Sequence, residues 1–165
     1  MPIVHNINFG DLNNLREIGF RGFKTKAELF QDSSILPNQP GIYFILSLQK
    51  SKPTFLEVGT GGYFKGKNPN VSLEELRSNW IEEAIVVYIG KATNLRTRLR
   101  QYLKFGQGKN IGHWGGRYIW QLAHSRELVV CWMPTPNDDP ENVEMSFIQA
   151  FKKRYVRRPF ANLVG

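Results

Sequence analysis

Two tripeptides, Gly41-Ile42-Tyr43 and Tyr88-Ile89-Gly90, each set a tyrosine in a short strand-like stretch. The second runs straight into Lys91-Ala92-Thr93-Asn94-Leu95-Arg96-Thr97-Arg98-Leu99-Arg100-Gln101-Tyr102. Two strands that present phenols, followed by a helix that presents arginines, could converge on one phosphate. Phosphodiester hydrolysis needs such parts: a cation against the phosphate oxygens, a group that activates water, and stabilisation of the leaving oxygen. A phenol is a weak base, with an unperturbed pKa of about 10. Beside Lys91 or a metal ion it can still orient a nucleophile or exchange a proton.

The helix that follows Tyr88 sorts its own arginines. At about 100° per residue, Leu95, Leu99 and Tyr102 fall in one narrow sector, and Arg96 and Arg100 point well away from it. Arg98 lies at the margin and is the arginine that reaches inward. Arg96 and Arg100 are expected in water or against a backbone phosphate. A second helix adds acid. Val143, Phe147, Phe151 and Tyr155 form an i, i+4 stripe widened by Ile148, and Glu144 projects between Phe147 and Ile148. A carboxylate on a core-facing surface is costly unless a cation compensates it. Arg98 or a metal ion could do so; a buried Arg–Glu pair without chemistry is the competing reading.

The elements that must position these groups read as follows. Residues 1–39 form an N-terminal element with short helices at Asp11 to Ile18 and Lys24 to Phe30. Gly19-Phe20-Arg21-Gly22-Phe23 lies between them, and the turn-rich stretch Ser33 to Gly41 follows. Ile42 to Leu48 and Ile85 to Ile89 read as strands. Residues 49–80 are punctuated by Gly, Pro, Lys and Asn, with a short helix at Ser72 to Asn79 opened by a Ser72/Glu75 capping box. Leu95 to Phe105 is helical. Tyr118 to Ala123 and Glu127 to Met133 fit either strand or helix. Asp139 caps, and Pro140 opens, a helix that runs to about Tyr155, where Arg157-Arg158-Pro159 stops it.

The 165 residues suit one domain, with 41% hydrophobic and 13% aromatic content. A net charge of +8 attracts polyanions, nucleic acid first and an acidic membrane surface second. The single cysteine, Cys131, sits in an apolar run and reads as a core residue, which excludes an internal disulfide. No stretch reads as a signal peptide or a membrane span, so the reading is cytoplasmic. Gly59-Thr60-Gly61-Gly62 lacks the context of a nucleotide-binding loop, no Cys/His cluster suggests zinc, and nothing assembles a Ser-His-Asp triad.

At the two tripeptides, the Lys91 to Tyr102 run, Glu144 and Asn162, the chain resembles the GIY-YIG nucleases. The Gly90 to Leu95 run with Tyr102 is most similar to the version carried by the excision-repair incision nuclease. The resemblance covers residues 40–165. It implies an α/β (α+β) fold with a small, mainly antiparallel sheet of about three strands flanked by helices. It also implies cleavage of DNA with one divalent metal, Mg²⁺ or Mn²⁺, held by Glu144. Tyr43 or Tyr88, near Lys91, would activate or position water. Arg98 would hold the phosphate, Tyr102 would hydrogen-bond it, and Asn162 would tie the C-terminal segment to the site.

Three features depart from the family pattern. Tyr43 and Tyr88 are separated by 44 residues, whereas the two motifs usually lie far closer. The surplus, residues 49–80, is an excursion from the hairpin. Its Lys50, Lys52, Lys65 and Lys67 beside Tyr63 and Phe64 suit a nucleic-acid contact or a solvated loop equally. Glu144 and Asn162 are also further apart than in the repair enzyme; the apolar pair Phe147-Ile148 favours Glu144 over Glu141. Lastly, some relatives carry a histidine where this chain has Tyr102, and His113 could add a phosphate contact instead. A non-catalytic nucleic-acid-binding module on the same scaffold is the alternative function. Oligomeric state and DNA specificity are not legible.

Overall fold

A computed structural model describes residues 6–164; the first five residues of the N-terminal element and Gly165 lie outside them. The chain folds into nine principal elements: α1 (Leu12–Ile18), β1 (Arg21–Thr25), α2 (Lys26–Gln31), β2 (Gly41–Leu46), α3 (Leu73–Asn79), β3 (Val86–Ala92), α4 (Leu95–Gly106), β4 (Val129–Pro134) and α5 (Pro140–Tyr155). Short 3-10 turns occupy Phe64–Gly66, Trp114–Gln121 and Ser125–Glu127.

The sheet has four strands in the order β1-β4-β2-β3, and every pairing is antiparallel. The class read from the sequence is right; the expected three strands become four because the N-terminal element supplies β1. Gly22 and Phe23 adopt positive φ, and the register with β4 shifts there, so β1 carries a bulge rather than a period-2 pattern. Gly22 is required by contact: a Cβ on it would lie 2.4 Å from the Trp132 ring.

Strand alternation divides the core between the two faces. Ile42, Phe44, Leu46, Ile89, Cys131 and Met133 face α1 and α5, where they meet Phe9, Leu15, Phe147 and Phe151. Tyr43, Ile45, Tyr88, Val130 and Trp132 face α2, α4 and the Trp114–Gln121 turn. Tyr88 pairs with Ile45 and so shares the Tyr43 face, and beyond it the β2–β3 register slips by one residue, so that Leu46 pairs with Val86. Cys131 is fully buried and free, and burial pushes its thiol well up. No helix among the described residues is long and apolar enough to cross a membrane.

The helix signals in the sequence hold. Asp139 caps α5 through the Glu141 N–H, Pro140 opens it, and Lys152, Lys153 and Arg154 complement its C-terminal dipole. Ser72 caps α3 through the Glu75 N–H. The reciprocal half of that capping box is not made, because the Glu75 carboxylate accepts from the Tyr118 hydroxyl instead. A complete capping box opens α2 at Thr25 and Glu28.

The excursion between β2 and β3 packs on the chain that follows α4. Gln121, buried, accepts from the Val71 N–H and donates to the carbonyls of Leu56 and Val71. Phe55, Trp80 and Phe160 stack into an aromatic cluster beside it.

Candidate active site

β3 is an edge strand, and the cleft opens along it. The N-terminal half of α4, the Trp114–Arg117 turn, the first turns of α5 and the C-terminal segment surround a space of about 1100 Å³. Tyr43, Tyr88, Lys91, Arg98, Glu144 and Asn162 all line it. The two strand motifs, the inward arginine and the helix carboxylate therefore meet at one place, although Tyr43 and Glu144 start on opposite faces of the sheet.

The tripeptides earn their glycines from packing. Tyr43 pairs with Gly90 across the strands, and a Cβ on Gly90 would lie 2.3 Å from the Tyr43 ring and 2.5 Å from its hydroxyl. A Cβ on Gly41 would lie 2.5 Å from the Met133 carbonyl. The Tyr43 and Tyr88 ring centroids are 5.9 Å apart. Tyr43 is fully buried and Tyr88 retains 8% exposure. Burial raises both phenols above their ordinary range, most strongly Tyr43, and Arg98 opposes the rise.

Arg98 spans the cleft wall. Its Nη1 donates to the Gly112 carbonyl at 2.8 Å and to Gln101 Oε1 at 3.2 Å. Nε and Nη2 make no hydrogen bond among the described residues, which leaves them available to an anion.

Glu144 is partly buried and carries no hydrogen bond or ion pair to the described residues. Partial burial raises its carboxyl above the ordinary range; Lys91 pulls it down, Glu141 pushes it up, and Arg98 pulls it down. Lys91 instead bonds Glu141 at 3.0 Å across an exposed surface. The competing Arg98–Glu144 ion pair is thus not formed. No cluster of three metal-ligating side chains exists among the described residues. A single unpartnered, partly desolvated carboxylate beside this cleft nevertheless suits Mg²⁺, which is commonly held by one or two carboxylates plus substrate phosphate and water.

Asn162 closes the site from the C-terminal side. Its Oδ1 accepts from the Ile89 N–H and its Nδ2 donates to the Ile89 carbonyl, both at 2.9 Å, while the Ala161 N–H donates to Val87 O. The segment thus covers the open edge of β3 with strand-like bonds.

Other expected residues fall elsewhere. Tyr102 is fully buried and does not line the cleft; its hydroxyl is bonded to Lys26 Nζ at 2.6 Å. It points into the core because it shares the sector of Leu95 and Leu99. His113 is buried behind Tyr43, 2.9 Å from its hydroxyl, and does not reach the cleft surface. Arg96 donates to the carbonyls of Leu36 and Ser34, and Arg100 to Ser33 Oγ, so both stitch α4 to the chain before β2. Lys65 and Lys67 are exposed on the excursion, outside the cleft lining.

Trp114 and Arg117, which the sequence reading passed over, line the cleft with the guanidinium stacked 4.6 Å above the indole. The run Gly112-His113-Trp114-Gly115-Gly116-Arg117 was the available signal. Lys26 was also missed. It is fully buried, lies about 4 Å over the Tyr102 and Trp120 rings, and burial drives its pKa well down.

Comparison with known families returns one match: the profile of GIY-YIG domain-containing proteins fits residues 45–152. That span holds the second tripeptide, the arginine helix and Glu144. No curated protein and no solved structure matches the chain.

Proposed function

Because the chain belongs to the GIY-YIG domain family, a family of nucleases, we propose that it is a metal-dependent endonuclease that hydrolyses phosphodiester bonds in DNA. The observation that carries this reading is the convergence of Tyr43, Tyr88, Arg98 and an unpartnered Glu144 on one cleft. A module that only bound DNA would have no use for a partly buried carboxylate there, since it repels the phosphate. The resemblance of the Gly90-Lys91-Ala92-Thr93-Asn94-Leu95 run to the excision-repair incision type supports a nuclease of that kind.

In this reading Arg98 holds the scissile phosphate with Nε and Nη2, its position fixed by the bond to Gly112 O. The phenols at the cleft wall orient the attacking water, with Lys91 at the rim to favour approach of the anion. Glu144 would hold a Mg²⁺ or Mn²⁺ ion, which would supply Lewis-acid stabilisation of the leaving oxygen. Asn162 keeps the edge of β3, and hence Tyr88, in place. The exposed Lys65 and Lys67 extend the positive surface for the flanking duplex. Arg96 has its guanidinium engaged by the chain itself and serves the fold, whereas Arg100 is bonded only through Nε and keeps its exposed Nη atoms for a backbone phosphate.

The test incubates purified protein with supercoiled, linear and branched DNA, with Mg²⁺ or chelator, beside Glu144→Ala and Arg98→Ala. Metal-dependent cleavage by the parent and loss in both variants support the proposal. Cleavage by the variants at the parental rate overturns the site assignment, and binding without cleavage by the parent favours the binding module.

A further inference from the structure

His113 is a fully buried imidazole in a chain of buried polar groups that ends at the cleft. Its Nε2 lies 2.9 Å from the Tyr43 hydroxyl. The Tyr102 ring meets it edge-on with centroids 4.3 Å apart, and the Tyr88 ring lies 6.0 Å away. Gly116 exists to admit it: a Cβ there would lie 2.9 Å from the imidazole Cε1 and 3.0 Å from Nδ1. The loop that carries it is fastened to the cleft, because Arg98 holds the carbonyl of the preceding residue, Gly112.

We propose that His113 is a positioning residue for Tyr43: its Nε2 accepts the Tyr43 hydroxyl hydrogen and turns the phenol's lone pairs toward the cleft. The chemistry of the pair favours this direction, since a phenol is the better donor and a neutral imidazole nitrogen the better acceptor. Nδ1 has no hydrogen-bond partner among the described residues, so no neighbouring donor claims its lone pair. With Nε2 accepting, the single ring proton sits on Nδ1. A second proton is opposed by burial and by the neighbouring cations Arg98 and Lys26. The remaining nitrogen is then an acceptor with no hydrogen to give. Tyr43 must donate inward, and toward Tyr88 and the cleft it can only accept, from a water or from the Tyr88 hydroxyl.

The catalytic half of this inference rests on the nuclease reading; the hydrogen bond does not. The experiment combines single-turnover cleavage by the parent, His113→Leu, His113→Gln, Tyr43→Phe and the His113→Leu/Tyr43→Phe double variant with ¹⁵N NMR of the imidazole. His113→Leu should cut about tenfold more slowly at unchanged DNA affinity, as expected for one lost orienting hydrogen bond. His113→Gln, which restores an acceptor near the Nε2 position, should recover most of that rate. In the Tyr43→Phe background, His113→Leu should have no further effect. NMR should show a neutral ring protonated at Nδ1 from about pH 5 to 8, with an Nε2 resonance that moves in Tyr43→Phe. A Nε2-protonated or cationic ring overturns the assignment, even if His113→Leu fails to fold. Equal rates for the parent and His113→Leu, or additive losses in the double variant, overturn the positioning role. If the parent cuts no DNA, the nuclease reading and the catalytic half fall together, and NMR alone decides the hydrogen bond.

Discussion

Substituting Gly90 by alanine should damage the site from a residue that touches no substrate. The new methyl would sit 2.3 Å from Tyr43 Cζ, 2.5 Å from its hydroxyl and 2.6 Å from Cε1. Carbon atoms in contact prefer about 3.5–4.0 Å, so the ring must move by more than about 1 Å. Tyr43 is fully buried between its neighbours Tyr88 and Tyr102, so its ring can move only by displacing them or by entering the cleft it lines. Overpacking of this kind costs about 1–3 kcal/mol. Displacement also breaks the bond to His113 and strands a buried acceptor, for about 1–3 kcal/mol more. The total of about 2–6 kcal/mol corresponds to a fall in Tm of about 5–20 °C for a chain of this size. Thermal and urea unfolding of Gly90→Ala and parent would measure it, with Gly115→Ala as control. A Cβ at Gly115 meets nothing within 4 Å, so that variant should unfold like the parent. A Gly90→Ala protein as stable as the control would refute the claim that the last residue of the second tripeptide is glycine in order to seat Tyr43.

Further expectations concern the charged residues. The folded-state pKa of Lys26 lies well below its unfolded value of about 10.4, so between the two the unfolded chain binds the extra proton. Parent stability should therefore rise as pH approaches about 10 from below, and Lys26→Met/Tyr102→Phe, which removes the buried amine with its partner, should flatten that rise in urea titrations. Glu144 has a raised folded pKa, so its ionisation opposes folding as pH climbs past about 4.3. Glu144→Gln should therefore match or exceed the parent's Tm at neutral pH, and Mg²⁺ should raise the Tm of the parent alone. Arg96→Ala removes two hydrogen bonds, at 2.7 and 2.8 Å, that hold residues 34 and 36. It should lower Tm by about 2–6 °C without altering the salt dependence of DNA affinity; a shallower slope would place that guanidinium on a phosphate instead.

Much of the fold was legible where local chemistry was strong. The α5 stripe with its Asp139-Pro140 start, the Leu95-Leu99-Tyr102 face of α4 and the two motif strands follow from periodicity and capping alone. β1 was not legible, because Gly22 and Phe23 break the alternation and its only partner, β4, lies more than 100 residues on. β4 itself was ambiguous, since a fully buried strand has no polar face to reveal its period. In the site, helix geometry correctly turned Arg98 and Glu144 inward. The same geometry explains why Tyr102 faces the core: its sector is the apolar one, and the family pattern had suggested a phosphate contact. The partners of Arg96, His113 and Lys26 depend on contacts between segments distant in sequence, which spacing along one helix cannot express.

The most direct test of the account measures nicking of supercoiled DNA in Mg²⁺ by the parent and by Glu144→Gln, at protein concentrations adjusted to equal DNA binding. The swap keeps the shape of the side chain and removes its charge. The account predicts that Glu144→Gln, folded and DNA-bound, loses essentially all nicking while the parent cuts. Equal nicking by the two proteins would contradict it.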